Sequence, residues 1–281
     1  MSVDRRSGLS YVEFEREYLL PRRPVVLTDA TAKWKASSWT PAWFKERYPD
    51  KRVSTDQGEM RLSDFMDAIT SDSGEPGPFL REQPLEDVFP DLVDHVLPTP
   101  EFVRPNWLQD DYRIGRVNRR LNREGKIEVN FAGRRVFPYL HIDDLGVHAF
   151  ITQHYGSKEF TVFAPDQEPY LYRRGTERFS EIVDVDNVDT TKYPLFAKAK
   201  GTKVVVNAGE SLFNPFGWWH TTRVPGASLA TVVSLSNASN WSELVTCLRG
   251  QSGRPLLAAG LAAYLTAVGT AKSLLPRSRA T

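Results

Sequence analysis

Two imidazoles and a carboxylate are the residues of this chain best placed to do chemistry together. His141-Ile142-Asp143 opens the segment 137–165, FPYLHIDDLGVHAFITQHYGSKEFTVFAP. On an extended strand, side chains two apart point the same way, so His141 and Asp143 converge while Asp144 faces the other side. An imidazole and a carboxylate so placed are two of the three ligands of a 2-His-1-carboxylate facial triad, the usual holder of non-haem Fe(II). The third ligand must come from a distant strand, and His220, closing 209–220 (GESLFNPFGWWH), is the candidate. A His-x-Asp triplet by itself arises by chance and reads as readily as a histidine beside an acidic turn. The second half of the segment changes the balance. After Gly156 the pattern alternates again, with Lys158, Phe160 and Val162 on one face. A buried, unpaired ammonium costs several kcal/mol, so Lys158 either snorkels to water or meets an anion. A cavity holding a divalent metal and a dicarboxylate co-substrate would supply that anion.

Three motifs follow one another: His141-x-Asp143, then Gln153-x-x-Gly156-x-Lys158-x-Phe160-x-x-Phe163-x-Pro165, then Gly209-Glu-x-Leu-Phe-x-Pro-x-Gly-Trp-Trp-His220. In that order they resemble the JmjC and cupin-like Fe(II)/2-oxoglutarate dioxygenases, a group that includes the HIF asparaginyl hydroxylase and related protein, ribosomal and wybutosine-tRNA hydroxylases. The resemblance covers about residues 22–241 and is thinnest over 105–130. It implies Fe(II) on His141, Asp143 and His220, with 2-oxoglutarate and O2 as co-substrates. It also implies Lys158 on the far carboxylate of 2-oxoglutarate and hydroxylation of a C–H bond, foremost on a protein or peptide side chain. The same chemistry on a small metabolite or tRNA base, or N-demethylation, is the alternative. A non-catalytic metal-binding cupin is the alternative of another class. Two neighbourhoods depart from the pattern. Residues 144–148 (DLGVH) and 137–140 (FPYL) lack the Asn and the Thr or Ser that similar proteins carry around the His-x-Asp. On the strand after His220, where those proteins carry another Asn, Ser234 is the nearest match and Asn237 lies slightly beyond.

Composition sets the bounds. The chain has 281 residues, 41% hydrophobic and 25% charged, as in an ordinary soluble globular protein. A net charge of +1 argues against bulk electrostatic binding of nucleic acid. The single Cys247 excludes an internal disulfide framework and a cysteine-based zinc cluster, and fits a cytoplasmic location. The first residues carry no apolar signal region.

The elements that must position these residues are expected as follows. Ser10 and Glu13 form a capping box for a helix stopped by Pro21. A strand spans 24–28, and a helix over 41–47 starts with Pro at N1. Strands at 51–55 and 60–62 precede a helix over 64–70 capped by Ser63. Arg113, Arg116, Arg119, Arg120 and Arg123 form a basic run that reads as a solvated face rather than a nucleic-acid patch. His95, His148 and His154 read as structural histidines. Residues 255–275, rich in Ala and Leu, are expected as a helix packing on the core or on a second subunit, too short and diluted to span a bilayer. The fold class is therefore mainly β with helices: a double-stranded β-helix (jelly roll) with N-terminal α/β elements and C-terminal helices. Residues 1–128 flank the core, 129–240 form it, and 241–281 supply helices for dimerisation or core packing.

Overall fold

Alternating and unbroken apolar runs build the sheets that carry the site. The computed structural model describes residues 2–137, 139–251 and 253–274. In chain order the strands are β1 (Asp4–Arg6), β2 (Val25–Leu27), β3 (Arg52–Thr55), β4 (Gly58–Arg61), β5 (Phe79–Pro84), β6 (Ile127–Ala132) and β7 (Arg135–Val136). They continue with β8 (His148–Tyr155), β9 (Ser157–Phe163), β10 (Gly201–Asn207), β11 (Ser211–Asn214), β12 (Trp219–Val224) and β13 (Ser228–Leu235). The α-helices are α1 (Tyr11–Phe14), α2 (Pro41–Arg47), α3 (Leu62–Thr70), α4 (Leu85–Val88), α5 (Gly115–Glu124), α6 (Trp241–Gly250) and α7 (Pro255–Leu274). A seven-stranded sheet in the order β1-β2-β11-β8-β13-β6-β5 faces a four-stranded sheet in the order β10-β9-β12-β7. This is a jelly roll whose two sheets do not close into a barrel. Short strands from the N-terminal segment extend its larger sheet.

Side-chain parity divides the larger sheet into two faces. Its inner face gives Ala149 and Ile151, which pack on Phe160, Val162 and Val206 of the smaller sheet. Its outer face is covered by the N-terminal helices, where Trp39, Phe44, Phe65 and Phe89 meet Phe131. Gly156 carries the chain from one sheet to the other at φ +70°, and a Cβ there would strike the Ala227 carbonyl oxygen. No side chain fits this step.

Local expectations met mixed outcomes. The Ser10/Glu13 capping box is present, and Thr40 accepts from the Trp43 N–H to start α2 behind Pro41. The first helix then widens into a π-helical turn, Glu15–Leu19, where Leu20 N–H reaches the Glu15 carbonyl. Ser63 does not cap the third helix. Strand β4 runs straight into α3, so Arg61 occupies the cap position without a side-chain hydrogen bond. Four of the five arginines of the basic run lie on α5, with Arg113 just before it, and all five are exposed. The last helix, α7, falls where expected, but its 20 residues meet the length and composition needed to cross a membrane, against the expectation that the segment is too short and diluted. It is docked on α6. Trp241 fills the notch left by Gly269, and its Nε1–H donates to the Leu265 carbonyl at 2.8 Å.

Candidate metal centre

The two candidate histidines are held together by the backbone. His141 lies outside any regular strand, but it forms an isolated antiparallel bridge with His220 on β12. His141 N–H donates to the His220 carbonyl at 3.0 Å, and His220 N–H returns the bond at 2.8 Å. Facing residues of an antiparallel pair carry their side chains on the same side of the sheet. The ring centroids are accordingly 4.3 Å apart. Asp143 is two residues on, just before the turn Asp144–Gly146. One ligand atom from each of His141, Asp143 and His220 lies within 4.8 Å of the others. Asp144 lies outside that group, its Oδ1 accepting from Gln251, just beyond α6, at 2.8 Å.

The donor set fits a divalent first-row metal. Burial, and then the neighbouring His220, pushes the His141 imidazole down to about 2, so it is neutral and has a lone pair to give. Its Nδ1 is buried with no hydrogen-bond partner. His220 Nδ1 lies 3.2 Å from the Trp218 carbonyl. A proton on that nitrogen leaves the Nε2 lone pair free on the side of Asp143, 3.7 Å from its Oδ1. Two imidazoles and one carboxylate are ligands that Fe(II) accepts. Asn214, wholly buried at the end of β11, reaches Asp143 Oδ2 with its Nδ2 at 3.5 Å and steadies the carboxylate from behind.

A cavity of about 640 Å³ opens beside the triad. Lys158 is buried on its wall, on the same face of β9 as Phe160, and makes no hydrogen bond or ion pair among the described residues. Burial alone pushes its ammonium down to about 8. Ser234 of β13 also lines the cavity. Asn237 does not serve there: its Oδ1 accepts from the Ser239 N–H and hydroxyl. Gln153 is a structural anchor, donating to the Tyr155 carbonyl and the Ser228 hydroxyl. Trp218 and Trp219 are anchors too, through the Arg22 carbonyl and Glu168.

The sequence reasoning missed several cavity residues, among them Glu124, Glu128, Asn130 and Thr222. In 127–132, IEVNFA, polar residues alternate with apolar ones. That pattern signals a strand but puts the polar set towards solvent by default. Here it faces the interior.

Comparison with known proteins adds the following. The cupin-like domain family matches residues 11–233. The tRNA wybutosine-synthesizing protein 5 of Gallus gallus is 40% identical over 92 residues, covering 33% of this chain and 27% of that protein. The lysine-specific demethylase JMJ30 of Arabidopsis thaliana is 27% identical over 258 residues, covering 85% of this chain and 56% of that protein. The arginine-specific demethylase JMJ20 of the same plant is 26% identical over 251 residues, covering 78% and 54%. The chain thus spans about half, or less, of the length of these relatives.

Proposed function

The chain belongs to the cupin-like (JmjC) domain family, and on that premise we propose that it is an Fe(II)- and 2-oxoglutarate-dependent oxygenase that hydroxylates a C–H bond on a protein or peptide side chain. The observation that carries the reading is one cavity holding both an open His141–Asp143–His220 triad and a buried, partnerless Lys158. His141, Asp143 and His220 hold the metal. Lys158 binds the far carboxylate of 2-oxoglutarate, which restores to its ammonium the partner that burial removed. Ser234 offers that ligand a hydroxyl from the opposite sheet. Trp219, with Leu140 and Phe163 packed against it, keeps water from the back of His220. When bound, Fe(II) with 2-oxoglutarate and O2 supplies the oxidising power, with succinate and CO2 as co-products. Succinate formation that requires iron, 2-oxoglutarate and the full chain tests the reading. A chain that binds metal but forms no succinate is a non-catalytic cupin.

Loss of an N-methyl group by the same chemistry is favoured as a second reading by the two demethylase relatives, which align over most of this chain. Mass spectrometry of a modified peptide separates the two, as gain of one oxygen or loss of one methyl. The Cys247 thiol, free and half-buried, suits a reducing cytoplasm, the location proposed. Residues 129–240 are taken as the catalytic jelly roll and 1–128 as its flank, with α6 and α7 as partner-facing helices; residues 275–281 of that C-terminal segment lie outside the described residues.

The proposed partner of α7 is a second copy. Leu256, Gly260, Ala263, Ala267, Thr270 and Leu274 all lie exposed, at successive spacings of 4, 3, 4, 3 and 4 residues. That series is a single stripe on a helix and reads the same in both directions about Leu265. Two antiparallel copies would therefore meet stripe to stripe across a two-fold axis. Sedimentation of the full chain and of a truncation before Pro255 tests it: a monomer in both rules the pairing out.

A further inference from the structure

Away from the metal centre, a groove of about 1060 Å³ runs between α5, the end of α6 and the first turns of α7. It exists because α7 is pinned along its second half only. Trp241 sits against Gly269, Lys272 pairs with Asp110 at 2.5 Å, and the Tyr264 hydroxyl accepts from the Arg113 N–H at 2.9 Å. Ahead of these anchors the helix stands clear of α5: Leu257 is 64% exposed, and a Cβ on Gly260 would meet nothing within 4 Å. Val117 and Leu121 of α5, Leu248 of α6, and Leu257 and Leu261 of α7 make the groove apolar. Of its lining, only Arg120 is shared with the metal cavity.

The charge of the groove is one-sided. Arg116, Arg120 and Arg254 stand in its lining, and no described lining residue is acidic. Arg116 makes no hydrogen bond or ion pair among the described residues. Arg120 donates to the Gln251 side chain at 2.5 Å, a neutral partner that leaves its charge in place. Arg113 and Arg119, both exposed, add to the same positive field. This combination selects its ligand. A cation is repelled, a small polar anion gains nothing from the apolar walls, and a bare alkyl chain gains nothing from the arginines. A molecule with an alkyl chain and an anionic head gains from both.

We propose that this groove is a binding site for an amphiphilic anion, a long-chain carboxylate whose head lies on Arg116 and Arg120 and whose chain lies along Leu121, Leu257 and Leu261. A guanidinium fork matches the two oxygens of a carboxylate. The site goes beyond the oxygenase reading and does not depend on it. It runs beside the stripe offered to a second copy and shares Leu256 and Gly260 with that stripe.

The test is calorimetry on the full chain, with every probe kept below its micelle concentration. Dodecanoate should saturate at one per chain, and octanoate should bind about a hundredfold more weakly for want of four methylenes. Dodecyltrimethylammonium, with the same chain and the opposite head, should bind at least about tenfold more weakly than dodecanoate. Leu257→Asp sets a carboxylate in the groove and should abolish dodecanoate binding. The leucine it replaces is largely exposed, so the melting temperature should not fall. Arg116→Gln with Arg120→Gln should remove the preference for the anionic head and leave the dependence on chain length. Equal binding of the two heads overturns the proposal. So does dodecanoate binding that survives Leu257→Asp and is lost on Lys158→Ala, which would put the carboxylate in the metal cavity. Attachment to phosphatidylserine vesicles without binding of free dodecanoate would replace the amphiphile by a membrane surface. Dodecanoate binding that appears only after Ala263→Glu with Ala267→Glu has broken a dimer would give the groove to a second copy instead.

Discussion

The two faces of the larger sheet treat their polar side chains in opposite ways. On the outer face of β8, His148 and His154 are buried and hydrogen-bonded to protein. His148 Nδ1 accepts from the Phe216 N–H at 3.0 Å and its Nε2 meets Ser239 Oγ at 3.0 Å. His154 Nε2 meets Thr231 Oγ1 at 2.9 Å, with the rings of Trp34 and Trp39 against it. On the inner side of the jelly roll, His141 Nδ1, Asn130 Nδ2 and the Lys158 ammonium have no hydrogen-bond partner among the described residues. Burial costs the same on both sides, so the difference lies in what compensates for it: protein on the outside, and on the inside the metal and co-substrate proposed above.

The comparison breaks most visibly at the triad. His141→Ala, Asp143→Ala or His220→Ala should abolish both iron loading and succinate formation, because an open triad has no spare protein ligand. Metal content per chain and succinate release check it. Asp144→Ala should keep both, and an inactive Asp144→Ala beside an active Asp143→Ala would show the wrong carboxylate has been chosen. Next comes Lys158→Ala, which should raise the 2-oxoglutarate requirement roughly tenfold to hundredfold, from about 1.5–3 kcal/mol for a hydrogen bond to a charged group. Iron binding should hardly change. Arginine keeps the charge but has a wider fork, so rescue should be partial. An unchanged requirement would mean that another cation holds the co-substrate.

The outer face should respond in stability instead. His154→Ala removes a packed ring and a buried hydrogen bond, at a cost of about 3 kcal/mol, while iron loading per folded chain stays near one. Loss of iron from a well-folded His154→Ala protein would blur the distinction between the faces. The smallest effect is a slope. Burial pushes His148 and His154 each down to about 3 from an ordinary 6.5. Between those values the unfolded chain binds the proton and the folded chain does not. Stability is therefore full above about pH 6.5 and falls towards pH 3, by about 1.4 kcal/mol per pH unit for each histidine. Denaturant titrations across that window should show the slope, and His154→Phe should reduce it.

The legibility of this molecule follows the same division. The triad, Lys158 and the jelly roll were readable because strand parity and motif order are local properties of the chain. The alternation that put Lys158 with Phe160 and Val162 is the alternation found in β9. The parity of β8 was equally plain, but which face looked inward was not, since that depends on what covers the sheet. Glu128 and Asn130 were hidden for the same reason. An alternating strand reads as half-solvated, and only the opposing sheet with α5 turns its polar face into a cavity wall. Ser63 failed as a cap because pairing of β4 with β3 carried extended structure up to Arg61, and the helix begins at Leu62, two residues too early for Ser63 to cap it.

The notch at Gly269 has a consequence for how the protein behaves in a tube. With Trp241 seated there and bonded to the Leu265 carbonyl, α7 has one rotational setting, and it cannot roll its uncharged stripe inward. Leu256 and Leu274 remain 89% and 81% exposed at the two ends. Apolar surface that cannot be hidden within one chain is removed from water by association, which follows mass action. The melting temperature should then rise with protein concentration, and the rise should vanish when Ala263 and Ala267 are replaced by glutamate.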